Sequence, residues 1–172
     1  MPRMRTGIGF YLLVFVAGFI TFALHEGGHW LAATLLGHDA WFSLNRAGAR
    51  DAVEAGHRVL ITAAGPAVTI MQGLFAFALV QARRSAVAWV ALFWAAFMRL
   101  MATVISLWNP NDEARLSEHF GLGAWTLPVV ASAALLALLA VGSRRLGVRW
   151  TTLGLSWPVA SAAISAIVFS GL

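Results

Sequence analysis

Five apolar runs, at about residues 7–36, 58–82, 86–108, 124–142 and 150–171, leave this chain few ways to fold. Each is near or above the ~20 residues that a helix needs to cross a bilayer. Hydrocarbon offers no water to bond exposed backbone, so such runs span as helices that satisfy their own N–H and C=O groups. The chain is 60% hydrophobic and 11% charged, where a soluble domain carries about 25% charged residues. We read it as an all-α polytopic membrane protein, with residues 1–172 forming one transmembrane domain and no separate soluble one. The first run is long enough for a tilted helix that projects beyond the bilayer. The second contains Gly65-Pro66, which is expected to kink or break it. The fifth carries Gly154 and Pro158, then Ala162, Ala166 and Ser170 at helical spacing, the small residues that let helices approach closely. Arg3 and Arg5 ahead of an apolar run imitate a signal peptide, but no small-residue cleavage site follows, so the run reads as a retained helix.

All twelve basic residues are arginines. All but Arg99 sit in the N-terminal segment or in short connections between apolar runs, so they report orientation in a membrane and not binding to nucleic acid. Arg3, Arg5, Arg83, Arg84, Arg144, Arg145 and Arg149 fall on one side with no acidic residue among them. Arg46, Arg50, Arg58 and Arg115 fall on the other, mixed with Asp39, Asp51, Glu54, Asp112, Glu113 and Glu118. The excess of positive charge predicts a cytoplasmic N-terminus and an external C-terminus, with a bacterial cytoplasmic membrane as the expected setting. Trp41, Trp108, Trp125 and Trp150 fall at span ends, as interfacial anchors do. The chain has no cysteine, which excludes disulfides and thiolate metal sites.

The first run contains His25-Glu26-Gly27-Gly28-His29, an HExxH sequence. On a helix the two imidazoles project from one face and can hold one metal ion, while Glu26 can reach a water on that ion as general base. Two histidines and a carboxylate are costly in hydrocarbon unless paired or metal-bound, so a metal site is the economical reading. A catalytic zinc usually has three protein ligands. Asp112, Glu113, Glu118 and His119 are the candidates for the third. Asp112 is preferred by position: His25 and His29 lie about 27–33 Å along the first span, and the third span returns to that face just before Asn109-Pro110 stops it. Glu118 and His119 lie further along, as surface residues. Asn-Pro-Asn-Asp is also turn chemistry that needs no metal, and Asp112 can cap the following short helix, whose apolar face would hold Leu116 and Phe120. Arg99, inside the third span, either pairs with an acid near the site, steadies a substrate carbonyl, or bonds backbone carbonyls as structural glue, which is the plainer reading. Gln72 reads as hydrogen-bonded packing and His57 as a loop residue. In the longest connection, residues 40–45 read as extended, and Asp51 to His57 as a short polar helix.

Three features in order resemble the site-2 protease family, the M50 intramembrane metallopeptidases. They are Phe22-Ala23-Leu24-His25-Glu26-Gly27-Gly28-His29, then Ala63-Ala64-Gly65-Pro66, then Asn109-Pro110-Asn111-Asp112. The resemblance covers about residues 8–120, a three-helix catalytic core, and leaves the spans at about 124–142 and 150–171 unmatched. Two positions depart from the family pattern: Thr69 stands where an asparagine is usual, and Asn111-Asp112-Glu113 stands where Leu-Asp-Gly is usual. The resemblance implies one Zn²⁺ per chain on His25, His29 and Asp112, and Glu26 as the base that activates water to cut the transmembrane segment of a membrane-protein substrate. Gly65, Pro66, Asn109 and Arg99 are the candidate substrate contacts, and residues 40–45 a strand that can pair with unwound substrate. Family members generally place the site towards the cytoplasm; the arginines here place it outside. The rival readings are a catalytically silent membrane adaptor or chaperone with the same fold, and a metal transporter with the histidines along its path.

Overall fold

A computed structural model describes residue 4 and residues 6–169. The order of elements is α1 (Ile8–Leu35), β1 (Ala40–Phe42), β2 (Ala47–Ala49), α2 (Ala55–Arg83), α3 (Ala86–Ile105), α4 (Asp112–His119), α5 (Thr126–Leu146) and α6 (Trp150–Phe169). The protein is helical apart from one small hairpin, and five of its helices are long and apolar enough to cross a membrane. These five match the apolar runs to within a few residues.

The core forms around α3. In its most apolar stretch 61% of residues are buried, against 28–33% in the other four spans, so α3 is the central helix and the others present one face to lipid. It packs on α1, α2 and α5, while α6 lies against α1. Trp89, Phe93 and Phe97 recur every fourth residue and stack along one face of α3, and Phe97 meets the edge of Trp157 from α6 with centroids 5.0 Å apart. Trp94, fully buried, donates from its indole N–H to the Val14 carbonyl of α1 at 2.6 Å. That crossing depends on Gly18, where a Cβ would fall 2.5 Å from the Trp94 ring. Gln72 donates to the Thr21 hydroxyl at 3.1 Å and to the Ala91 carbonyl at 3.0 Å, which confirms it as hydrogen-bonded packing between three helices.

The connection from α1 to α2 is clipped at its base. His38 donates from Nδ1 to Asp51 at 2.6 Å, and its Nε2 lies 3.0 Å from Nδ1 of His57. The His38 hydrogen bond holds the exposed Asp51 carboxyl below the usual carboxylate range. Arg50 bonds Asp39 at 2.9 Å. Between these ties Ala40–Phe42 pairs antiparallel with Ala47–Ala49, with Trp41 opposite Gly48, and the hairpin packs on α1.

Five expectations need correcting. Residues 51–54 are not helical; α2 begins at Ala55, and His57 lies in its first turn. The extended segment is shorter than 40–45 and ends at Phe42. Trp41 belongs to the hairpin and not to a span end, whereas Trp108 and Trp150 stand 78% and 87% exposed at helix ends as anchors should. Of the expected kink or break at Gly65-Pro66, the break is set aside: α2 runs continuously through both. Proline removes one N–H and so leaves only the Thr62 carbonyl without its helical donor; Thr62 lines an open groove together with Arg58, Arg115 and His119. Finally, α6 packs through Thr152, Ser156, Ala160 and Ala163, while Ala162 and Ala166 are exposed. Ser170 lies outside the described residues.

Gly18→Val should force its side chain into the Trp94 indole and destabilise the protein by about 1–3 kcal/mol, the usual cost of overpacking. Thermal unfolding in detergent reads the loss, and adding Trp94→Phe should recover part of it.

Candidate metal centre

The antiparallel contact between α1 and α2 sets the site. Its polar pairs run in register: Thr21 with Gln72, His25 with Thr69, His29 with the Ile61 carbonyl. Two glycines bring the backbones close. A Cβ on Gly28 would lie 3.0 Å from the Ala64 carbonyl oxygen, and a Cβ on Gly65 would lie 2.2 Å from Nε2 of His29 and 2.7 Å from Cε1 of His25. Gly65 is thus the floor beneath both imidazoles. Gly27, by contrast, faces open space.

The histidines, each 5% exposed, meet Asp112 from the first turn of α4. Nε2 of His25 and Nε2 of His29 are 3.3 Å apart, and Oδ2 of Asp112 is 3.4 Å from the first and 3.2 Å from the second. Tetrahedral zinc with bonds of roughly 2.0–2.1 Å separates its ligand atoms by about 3.3 Å. The three donor atoms therefore have the spacing of three corners of such a tetrahedron, and the residues fit the ion. Burial pushes the Asp112 carboxyl upward, but the hydrogen bonds from His25 and His29 outweigh it and hold the group below the usual carboxylate range.

The outer partners orient the rings. His29 donates from Nδ1 to the Ile61 carbonyl at 2.6 Å, which makes Nε2 the nitrogen turned to Asp112: protonated it donates to the carboxylate, unprotonated it can take a metal. The Thr69 hydroxyl donates to the Gly65 carbonyl at 3.2 Å, so its oxygen is free to accept from Nδ1 of His25 at 3.1 Å. Arg99, which can only donate, lies 3.3 Å from that same Nδ1. Thr69 suits the tautomer that frees Nε2 for a metal, and Arg99 suits the one that protonates Nε2 towards Asp112. Partners of this kind fix ring orientation and ligand basicity in metal sites.

Asp112 is placed by its neighbours. Asn111, not Asp112, caps α4: its side chain accepts from the Ala114 N–H at 3.1 Å. This corrects the sequence expectation and leaves the Asp112 carboxylate without a capping role. Glu113, one residue on, turns away from the histidines and makes a buried ion pair with Arg99 of α3. Arg99 thus takes an acid beside the site as partner, and not the backbone carbonyls of the plainer reading. Arg99 Nε, Glu113 Oε2 and Asn111 Nδ2 are buried with no partner among the described residues. Buried polar atoms normally find partners, so this flank of Asp112 is suited to a further polar group.

Glu26 is half-buried next to the ligands and is turned towards the backbone of Ala47 in β2. In the hairpin Ser43 N–H bonds Arg46 and Arg50 N–H bonds Asp39. The intervening register makes Ala47 and Ala49 the non-bonded positions, so their N–H and C=O groups point away from β1. Of the other candidates, Pro66 is buried in α2 and Asn109 is exposed in the segment after α3. Glu118 and His119 are exposed at the end of α4. Comparison of the chain with protein-family models, with curated proteins and with solved structures finds no match to any.

Thr69→Val keeps the shape of Thr69 but removes the acceptor for His25, and should weaken zinc binding about 10–100-fold. Competition against a chromophoric chelator measures this, and Gly65→Ala should do at least as much by displacing both rings. Glu113→Ala leaves Arg99 buried without a counter-ion and should cost about 3–5 kcal/mol in unfolding experiments; an Arg99→Met, Glu113→Met pair should recover most of it.

Proposed function

We propose that this protein is a zinc-dependent intramembrane endopeptidase of the kind the site-2 protease family represents. The observation that carries the reading is the convergence of His25, His29 and Asp112 at tetrahedral spacing, with the Glu26 carboxylate beside them. All but Asp112 lie in a helix long and apolar enough to cross a membrane. A zinc ion there supplies Lewis-acid polarisation of a carbonyl and a water activated near neutral pH.

The chain's residues supply the rest. His25 and His29 are neutral ligands, locked by Thr69 and Ile61, and the Asp112 carboxylate brings one negative charge. Glu26 accepts a proton from water and returns it to the amine nitrogen as the C–N bond breaks, so water is added across the peptide bond. A helical substrate hides its carbonyls in its own hydrogen bonds and must unwind before it is cut. The outward C=O of Ala47 and the N–H and C=O of Ala49 offer such a segment an edge on which to pair, next to Glu26. By the arginine distribution, we place the N-terminus in the cytoplasm and the site on the outer side.

Glu26→Gln should keep one zinc per chain and lower cleavage at least about 100-fold. The assay uses proteoliposomes with single-span substrates that carry glycine or asparagine within the span. No zinc in wild type would count against the metalloenzyme. One tight zinc without cleavage would favour a silent adaptor, and zinc flux into the vesicles a transporter.

A further inference from the structure

At the end of the molecule opposite the metal centre, we propose a binding site for a phospholipid with an anionic head group, in the cleft between α5 and α6. These helices are joined by three residues yet take different neighbours: α5 packs on α3, α2 and α4, and α6 on α1. The gap between them is a cavity of about 410 Å³, within the roughly 300–1,000 Å³ of small-molecule sites. Leu136 and Leu139 line one wall, and Leu153 and Trp157 the other. Deeper in the bilayer Trp157 stands against Phe97 and closes the cleft.

The mouth has the opposite character. Arg144 and Arg149 line it on either side of the connection, and both are exposed. Neither side chain has a hydrogen-bond or ion-pair partner among the described residues. Their neighbours Arg84 and Arg145 are engaged, donating to the carbonyls of Arg145 and Gln81. All seven acidic residues, Glu26, Asp39, Asp51, Glu54, Asp112, Glu113 and Glu118, belong to the other end. The two guanidiniums thus lack a protein counter-ion among the described residues, at the ends of two helices long and apolar enough to cross a membrane. Basic pockets between membrane helices take anionic head groups, and an apolar slot below the charges suits an acyl chain. A transmembrane helix is a poor occupant, because the cleft ends at Trp157 and does not run the length of the bilayer.

The test uses the whole purified protein in neutral detergent, titrated with dioleoyl-phosphatidylglycerol, with dioleoyl-phosphatidylcholine and with inorganic phosphate. Binding is read by thermal shift and by native mass spectrometry. Phosphatidylglycerol should bind as one tight equivalent and raise the melting temperature more than phosphatidylcholine. The Arg144→Gln, Arg149→Gln double variant should bind it about 30-fold more weakly, while Arg83→Gln, an exposed arginine outside the cleft, should bind as wild type does. Ala140→Trp, which fills the cleft without touching its charges, should abolish binding of both lipids and keep the helical content. Equal shifts with the two lipids, an equal shift with phosphate alone, or unchanged binding in Ala140→Trp would each overturn the proposal. So would a lipid-free dimer that Ala140→Trp converts to monomer, since a second copy would then be the occupant.

Discussion

The close antiparallel contact of α1 with α2 is what the rest of the structure hangs on. Two buried imidazoles inside an apolar helix need partners for both ring nitrogens. One face of α2 meets that need with residues four apart: the Ile61 carbonyl, Gly65 and the Thr69 hydroxyl. The two bonding partners lie eight residues apart on α2, one helical turn to either side of Gly65, and so reach His25 and His29 from opposite ends of the pair. Gly28 and Gly65 make the approach close enough. Once the contact is made, each ring has one nitrogen fixed and the other aimed at the same point.

The third helix turns this pair into a site. Its central position lets Arg99 reach from the core to Glu113, so the first turn of α4 is tied down beside the histidines. A buried ion pair is weak support for stability as such. Its visible consequence here is positional: with Glu113 tied to α3 and Asn111 capping the helix, Asp112 has one direction left to face. Three consecutive polar residues thus divide the work, and only the middle one meets the imidazoles.

Charge is distributed in keeping with this. The end that holds the His25, His29 and Asp112 cluster also holds every acidic residue, the hairpin, and the short contacts of Asp51 with His38 and of Asp39 with Arg50. The other end holds arginines alone, some bonded to helix-terminal carbonyls and two left facing a cleft.

The sequence by itself determined the number and limits of the spans, because hydrocarbon length and the need for internal hydrogen bonds allow few alternatives. It also marked His25, Glu26 and His29, since a four-residue spacing on a helix is a purely local property. Asp112 was preferred from the side of the membrane to which α3 returns, and over Glu113 by the resemblance of Asn109-Pro110-Asn111-Asp112 to a family pattern. The roles of Asn111 and Glu113 were not legible, because a cap and an ion pair depend on the start of α4 and on the reach of Arg99. Thr69 was visible only as a departure from a family pattern; its contact with His25 spans 44 positions and exists only once α1 and α2 are in register. The unbroken course of α2 through Pro66, the packed face of α6 and the outward edge of β2 were likewise decided by tertiary structure. In each case local propensity allowed more than one outcome, and the neighbour that satisfied a backbone group or filled a surface selected among them.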